Sequence, residues 1–171
     1  MTIVIIVLRA MHILGAIFWA GGMVLMHGFI FPSIEATRPE STRFVQDLTG
    51  KRNLPLFMTL ASVATVIGGL GLFGPATGMF DHDMMRAPHG IALSIGAVLA
   101  LSAFIEGMIV TGPSAGKIGA IGKEIAASGK GPTPEQIQKM EALQTKMKKV
   151  GMRGTVLVVL AALLMAIARY L

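Results

Sequence analysis

The sequence predicts an all-α integral membrane protein, a single bundle of four helices that cross a lipid bilayer. The chain has 171 residues, a mean hydropathy of +0.70, and only 14% charged residues. A typical soluble domain carries about 25% charged residues, so most of this surface does not face water. Four apolar stretches are long enough to cross about 30 Å of hydrocarbon. The absence of cysteine excludes disulfides, thiolate metal sites and iron–sulfur clusters.

The predicted spans form one domain, residues 1–171, and lie at about 3–32, 54–75, 89–112 and 153–171. Pro32, Pro75 and Pro113 mark the ends of the first three spans, where helices are expected to stop. The N-terminal stretch lacks the short apolar core and small-residue cleavage site of a removable signal peptide. We therefore expect it to remain as the first transmembrane helix.

The charges of the loops predict the orientation of the bundle. The first and third loops carry twelve lysines and arginines, whereas the second loop carries only Arg86. The twelve are Arg38, Arg43, Lys51, Arg52, Lys117, Lys123, Lys130, Lys139, Lys146, Lys148, Lys149 and Arg153. The positive-inside rule places these two loops in the cytoplasm and both termini outside. The same residues account for the +6 net charge, so we expect a lipid bilayer and no nucleic acid as partner.

The third loop contains its own helix signal. Thr133 is a cap residue, Pro134 suits the first helical position, and Gln136 completes a capping box. These residues predict an amphipathic cytoplasmic helix at about 134–149, which can continue into the last span.

The four histidines are the candidate ligands for a cofactor. His12 and His27 are separated by 15 residues, roughly 22 Å along one helix, so a single metal cannot bind both. His12 lies in the outer half of its span and His27 near the inner surface. His82 is in the outer loop and His89 opens the third span, so depth pairs His12 with His89 or, as an alternative, with His82. Imidazoles at membrane depth usually have a partner or a function. We predict that His12 and His89 bind a haem b iron.

The surroundings of His12 allow two interpretations. Trp19 lies within about 20° of His12 on a helical wheel, and Gly15 and Gly22 lie within about 60–80°. The outer half of the second span, residues 68–74, is rich in glycine at the same depth. Small residues either bring membrane helices together or let a flat macrocycle approach the backbone, with Trp19 as an aromatic edge. Both uses stay open at this point.

The charged residues near the histidines each have two possible roles. Arg9, Arg86 and Arg169 are candidates for binding haem propionates, because guanidinium groups bind carboxylates in a bidentate manner. The alternative is that they extend to the lipid headgroups. Glu106 is the one carboxylate within a span. It either forms an ion pair with Arg52 or Arg153, or relays protons with His27.

The outer loop is a candidate copper site. Residues 78–89 combine two histidines, two aspartates and three methionines, and thioether with imidazole suits Cu(I). Met23 and Met26 beside His27 form a second cluster of this type. The alternative is that the segment Asp81–Asp83 is a solvated turn.

Residues 8–22, which include His12, Trp19, Gly21 and Gly22, resemble the opening of a group of small bacterial membrane proteins. In that group a histidine is followed seven residues later by tryptophan and then by Gly-Gly or Ala-Gly. It includes the membrane domain of CopD-type copper-resistance proteins and the HemJ-type protoporphyrinogen oxidases, which bind haem b. The resemblance implies that His12 binds the haem iron. The lysine- and arginine-bearing second-half signature of the oxidases is absent here.

These observations predict a b-type cytochrome of the bacterial inner (cytoplasmic) membrane. With two histidine ligands it would transfer electrons between quinone and a periplasmic redox partner. With one position vacant it would be a haem-dependent oxidoreductase acting on oxygen, superoxide or a porphyrinogen. A second haem at His27 would need a homodimer to complete its ligands. The alternatives are a copper-handling transporter that uses the outer loop, and a structural protein without a cofactor.

Overall fold

The computed structural model describes residues 2–37 and 40–171 and is built from helices joined by short turns. In chain order these are α1 Thr2–Ala36, α2 Thr42–Gln46, α3 Leu54–Ala76, α4 His82–Arg86, α5 Pro88–Ser128 and α6 Pro134–Ala168. The helices α1, α3, α5 and α6 are each long and apolar enough to cross a membrane. The predicted all-α four-helix architecture is confirmed, and the chain is a multi-pass membrane protein. Arg38, counted above in the first loop, lies outside the described residues.

The last helix joins the predicted cytoplasmic helix to the last span without a break. The side-chain oxygen of Thr133 accepts a hydrogen bond from the backbone N–H of Gln136 at 3.2 Å. The side-chain oxygen of Gln136 in turn accepts a hydrogen bond from the backbone N–H of Thr133 at 3.0 Å. The capping box predicted from the sequence is therefore present. At 1.5 Å per residue α6 is roughly 50 Å long, which exceeds the hydrocarbon thickness of about 30 Å. Its lysine-bearing first part consequently projects from the bilayer.

The expectation that Pro32 and Pro113 stop their helices is wrong. Each proline follows a wide π turn, Met26–Ile30 in α1 and Gly107–Thr111 in α5, in which hydrogen bonds span five residues. A proline ring normally clashes with the carbonyl four residues earlier, and it has no N–H for that carbonyl. The wider turn shifts these carbonyls, so both helices continue past their prolines. Pro75, by contrast, stands in the last turn of α3, close to where that helix was predicted to end.

The four long helices pack as two close pairs, α1 with α3 and α5 with α6. A Cβ atom on Gly68 would lie 2.7 Å from the carbonyl oxygen of Leu8, and one on Gly15 would lie 2.8 Å from that of Ala61. In the second pair, a Cβ on Gly96 would lie 3.3 Å from a backbone oxygen of α6. Small residues therefore set the distance between the helices of each pair, as is usual in membranes.

The two pairs meet around Trp19, which is 7% exposed and packs with Ala103 and Val158. Its indole contacts the ring of Phe104 edge-on, with centroids 6.4 Å apart. We call the end of the bundle that holds Thr2, Ala76 and the start of α5 the outer end, following the predicted orientation. The opposite end, which holds α2 and the lysine-bearing part of α6, is the inner end.

Candidate functional site

His12 lies half-buried at the centre of the side of α1 that faces the other helices. Its Nδ1 atom is 2.7 Å from the carbonyl oxygen of Thr65 on α3. A carbonyl only accepts hydrogen bonds, so Nδ1 carries the proton and donates it. In the neutral ring Nε2 then keeps its lone pair, and it has no hydrogen-bond partner within residues 2–37 and 40–171. Metal-binding histidines commonly have this tautomer, held by a carbonyl on the second nitrogen.

The glycine-rich surface of α3 is occupied by α1. A Cβ on Gly69 would lie 2.9 Å from Nδ1 and Cε1 of His12 but 3.9 Å from Nε2, and one on Gly68 would lie 2.8 Å from the His12 backbone nitrogen. Of the two uses considered for these glycines, the structure shows helix packing. A ligand of Nε2 would have to lie on the side of the ring away from Gly69.

Trp19 belongs to the core between the helix pairs and lies about 10 Å inward of His12 along α1. Three contacts that join the pairs lie at this level or farther in. They are Trp19 with Phe104, Met23 with Gly154, and His27 with Gly151. Any flat ligand held between the two helix pairs at His12 would therefore occupy the outer half of the bundle, and Trp19 would lie on its inner side.

His89 is placed apart from His12. It lines a cavity of about 360 Å³ at the outer end, together with Ala76 of α3. Because Ala76 follows Gly69 by seven residues, His89 lies about 10 Å farther out than His12. The structure does not bring these two imidazoles together, and their joint ligation of one iron stays a prediction. His82 is exposed on α4, with Nδ1 3.3 Å from a carboxylate oxygen of Asp83.

The three outer arginines have little contact with the protein. Arg9 and Arg86 are exposed, and the guanidinium of Arg169 lies over the Tyr170 ring at 5.1 Å. Within the described ranges, no carboxylate forms an ion pair with any of the three. Binding of propionates by Arg9 stays a prediction that this arrangement permits.

His27 joins α1 to α6 at the inner end. Its Nδ1 donates to the Met23 carbonyl at 3.0 Å and lies 3.1 Å from the hydroxyl oxygen of Thr155. Nε2 points at Gly151, where a Cβ atom would overlap it. The backbone of Gly151 thus covers the nitrogen that a metal would need, and a second haem at this histidine would require the ring to move.

Glu106 forms the ion pair that was one of its two predicted roles. Its Oε2 atom accepts a hydrogen bond from Nε of Arg153 at 3.0 Å, and its Oε1 atom lies 2.7 Å from Nη2 of the same guanidinium. Arg153 lies about 200° around α6 from both Gly151 and Thr155, the residues that contact His27. Glu106 and His27 therefore contact different faces of α6, which argues against a direct proton relay between them.

Replacing Arg153 with methionine is expected to destabilise the fold more than replacing Glu106 with glutamine. The first change leaves a carboxylate that is 22% exposed without its partner, whereas the second leaves a half-exposed guanidinium that water can solvate. Because Arg153 is itself 60% exposed, solvent screening limits the effect to about 1 kcal/mol. Thermal unfolding in detergent measures it, with Lys148→Met, which breaks the more exposed pair with Glu35, as the control. Equal midpoints for Arg153→Met and the wild type would contradict the structural role of the pair.

The outer loop uses one of its candidate copper ligands for local structure. Oδ1 of Asp81 accepts the backbone N–H groups of Asp83 at 3.1 Å and Met84 at 2.9 Å, and so caps α4. In the part of the chain that the structure describes, no group of three or more histidines and acidic residues is arranged to hold a metal. The copper site therefore stays an alternative prediction.

The same loop contains three consecutive residues with left-handed backbone conformation. Gly78, Met79 and Phe80 have φ angles of 61°, 60° and 68°. Because this conformation costs a non-glycine residue about 1–2 kcal/mol, Met79→Gly is expected to raise the unfolding midpoint in a thermal scan. Phe80→Gly should raise it less, because that change also removes the ring contact with Phe73 at 6.0 Å. A lower midpoint for Met79→Gly would show that the Met79 side chain contributes more than the strain costs.

Comparisons of the chain with models of known protein families, with curated proteins and with solved structures find no match. The resemblance of residues 8–22 to the CopD and HemJ group thus remains an expectation. The contacts that sequence reasoning missed are the Thr65 carbonyl at His12 and Gly151 with Thr155 at His27. In the sequence, the pair of glycines at positions 151 and 154 near the start of the last span was the signal that could have indicated the close contact at His27.

Proposed function

We propose that this chain is a small b-type cytochrome of the bacterial inner membrane, with His12 as a ligand of the haem iron. The observation that carries the proposal is the state of the His12 ring. The Thr65 carbonyl holds the proton on Nδ1, and Nε2 is left with a lone pair and without a hydrogen-bond partner among the residues that the structure describes. A half-buried imidazole that served only as a hydrogen-bond donor would not need its second nitrogen to stay accessible.

Different residues of the chain would bind the iron, bind a propionate and exclude water from the haem. His12 would bind the iron through Nε2, and the Thr65 carbonyl would fix the tautomer and orientation of the ring. Arg9, which is one helical turn farther out and forms no ion pair with a described carboxylate, would bind a propionate. Trp19 and Phe104 would exclude water from the inner side. When bound, haem would supply one-electron chemistry near the outer surface, with quinone or a periplasmic protein as the proposed partner.

The test is the visible spectrum of the purified protein, produced in cells with ample haem precursor. A Soret band with sharp α and β bands after reduction is expected, and His12→Ala should abolish it. His82→Ala is the comparison variant and is expected to keep the Soret band, because that histidine is exposed; loss of the band would instead assign His82 as the second ligand. A colourless wild-type protein that is correctly folded would refute the proposal. A full haem content in His12→Ala would refute the ligand assignment.

A structural protein without a cofactor is the second candidate, because helix packing alone accounts for the glycines that face His12. In that case the protein would be colourless and free of metal, and His12→Ala would change only its stability. The copper-handling alternative predicts stoichiometric copper without a Soret band. Elemental analysis of the same preparation therefore separates the three functions.

A further inference from the structure

The outer cavity has an amphipathic lining. Its apolar wall is formed by Leu93 of α5 and Met165 and Ala168 of α6, and its polar wall by His89 and Arg169. With a volume of about 360 Å³ and an opening to the surface of the bundle, it can hold part of a small ligand. It lies where α5 and α6 reach the outer membrane surface.

The two polar groups of this lining have hydrogen-bonding capacity that the protein does not use. Neither ring nitrogen of His89 has a hydrogen-bond partner within the described ranges, although the residue is half-buried. The guanidinium of Arg169 lies over the face of Tyr170, and no described carboxylate lies within ion-pair distance of it. Two such donors beside an apolar wall match an anion that carries a hydrocarbon body.

We propose that this cavity binds the headgroup of an anionic phospholipid. The phosphate would accept hydrogen bonds from Arg169 and His89, and the first acyl-chain carbons would lie along Leu93 and Met165. A membrane lipid is favoured over a free solute because the cavity is open at the depth of the headgroups and five of its seven lining residues are apolar. The proposal does not depend on haem, since His12 lies about 10 Å deeper in the bundle.

The experiment is native mass spectrometry of the protein released from nanodiscs of phosphatidylglycerol or phosphatidylcholine. We expect one phosphatidylglycerol to be retained in preference to phosphatidylcholine. Arg169→Gln and His89→Gln should each weaken retention on the order of tenfold, the usual effect of losing one charge-assisted hydrogen bond. Arg86→Gln is the matched control, because Arg86 lies on the same side but does not line the cavity. Leu93→Trp, which fills the cavity and keeps both Arg169 and His89, should also reduce retention.

Equal retention by Arg169→Gln, Arg86→Gln and the wild type, or equal retention of the two lipids, would overturn the proposal. Inorganic phosphate bound with the same dependence on Arg169, but without lipid, would overturn the membrane lipid as its source. The haem proposal fails separately, through the spectrum of the wild type and of His12→Ala. If His89→Gln changed the haem spectrum and left lipid retention unchanged, the assignment of His89 to the lipid phosphate would be overturned and His89 would be a haem ligand.

Discussion

Gly68→Ala is expected to force α1 away from α3 and to lower the unfolding midpoint. The new Cβ would lie 2.7 Å from the Leu8 carbonyl oxygen and 2.8 Å from the His12 nitrogen, and both are backbone atoms that no rotamer change can move. Overpacking of this kind costs about 1–3 kcal/mol. Alanine regains at most about 1 kcal/mol through its higher helix propensity. The net loss is measured by thermal unfolding in detergent.

The same substitution at Gly21 is the control, because a Cβ there would have no neighbour within 4 Å. Gly21→Ala should leave the midpoint within error of the wild type or raise it slightly. If the chain binds haem as proposed, Gly68→Ala should also reduce haem content, because His12 moves with its helix. Identical midpoints for the two variants would contradict the close packing of α1 on α3.

Gly151→Ala is expected to weaken the packing of α1 on α6 at the inner end. Its Cβ would overlap Nε2 of His27, so the imidazole must swing away and lose its contacts with the Met23 carbonyl and Thr155. The expected cost is about 1–3 kcal/mol, since a rigid overlap is combined with a lost hydrogen bond. Hydrogen exchange of the inner part of α1 should rise at the same time, because this contact ties that segment to α6.

A double-mutant cycle makes this second prediction specific. Once His27→Ala has removed the ring, Gly151→Ala should cost little more, so the two effects should be strongly non-additive. Gly116→Ala on α5 is the control, with no atom within 4 Å of the added Cβ. Additive effects of His27→Ala and Gly151→Ala would show that the two residues do not act through one contact.

Much of the fold could be predicted because its signals are local. Hydropathy over about 20 residues locates the four spans, and Thr133 with Gln136 locates the start of α6. The helix that follows Pro113 was missed, because proline and glycine near residue 112 normally indicate a stop. The π turns before Pro32 and Pro113 depend on the packing of whole helices, so no short sequence motif predicts them.

The candidate site could be predicted only in part. Spacing in the sequence places His12 in the outer half of the first span and His27 near its inner end. The sequence also predicted Arg153 as one of two candidate ion-pair partners of Glu106, and the structure confirms this pair. It could not assign the Thr65 carbonyl to His12, because a backbone oxygen has no sequence signature. It could not show that His89 lies about 10 Å farther out than His12 either, because that depth difference depends on how α3 and α5 are placed against each other.

The amino-acid sequence by itself determined that this chain is a four-helix membrane protein, because the length and apolar character of each span are set residue by residue along the chain. Only the tertiary structure decided how the helices pair, which glycines are covered and which nitrogen of each histidine stays accessible. Those outcomes depend on backbone atoms from helices far apart in the chain coming within about 4 Å of one another, and no single segment contains that information.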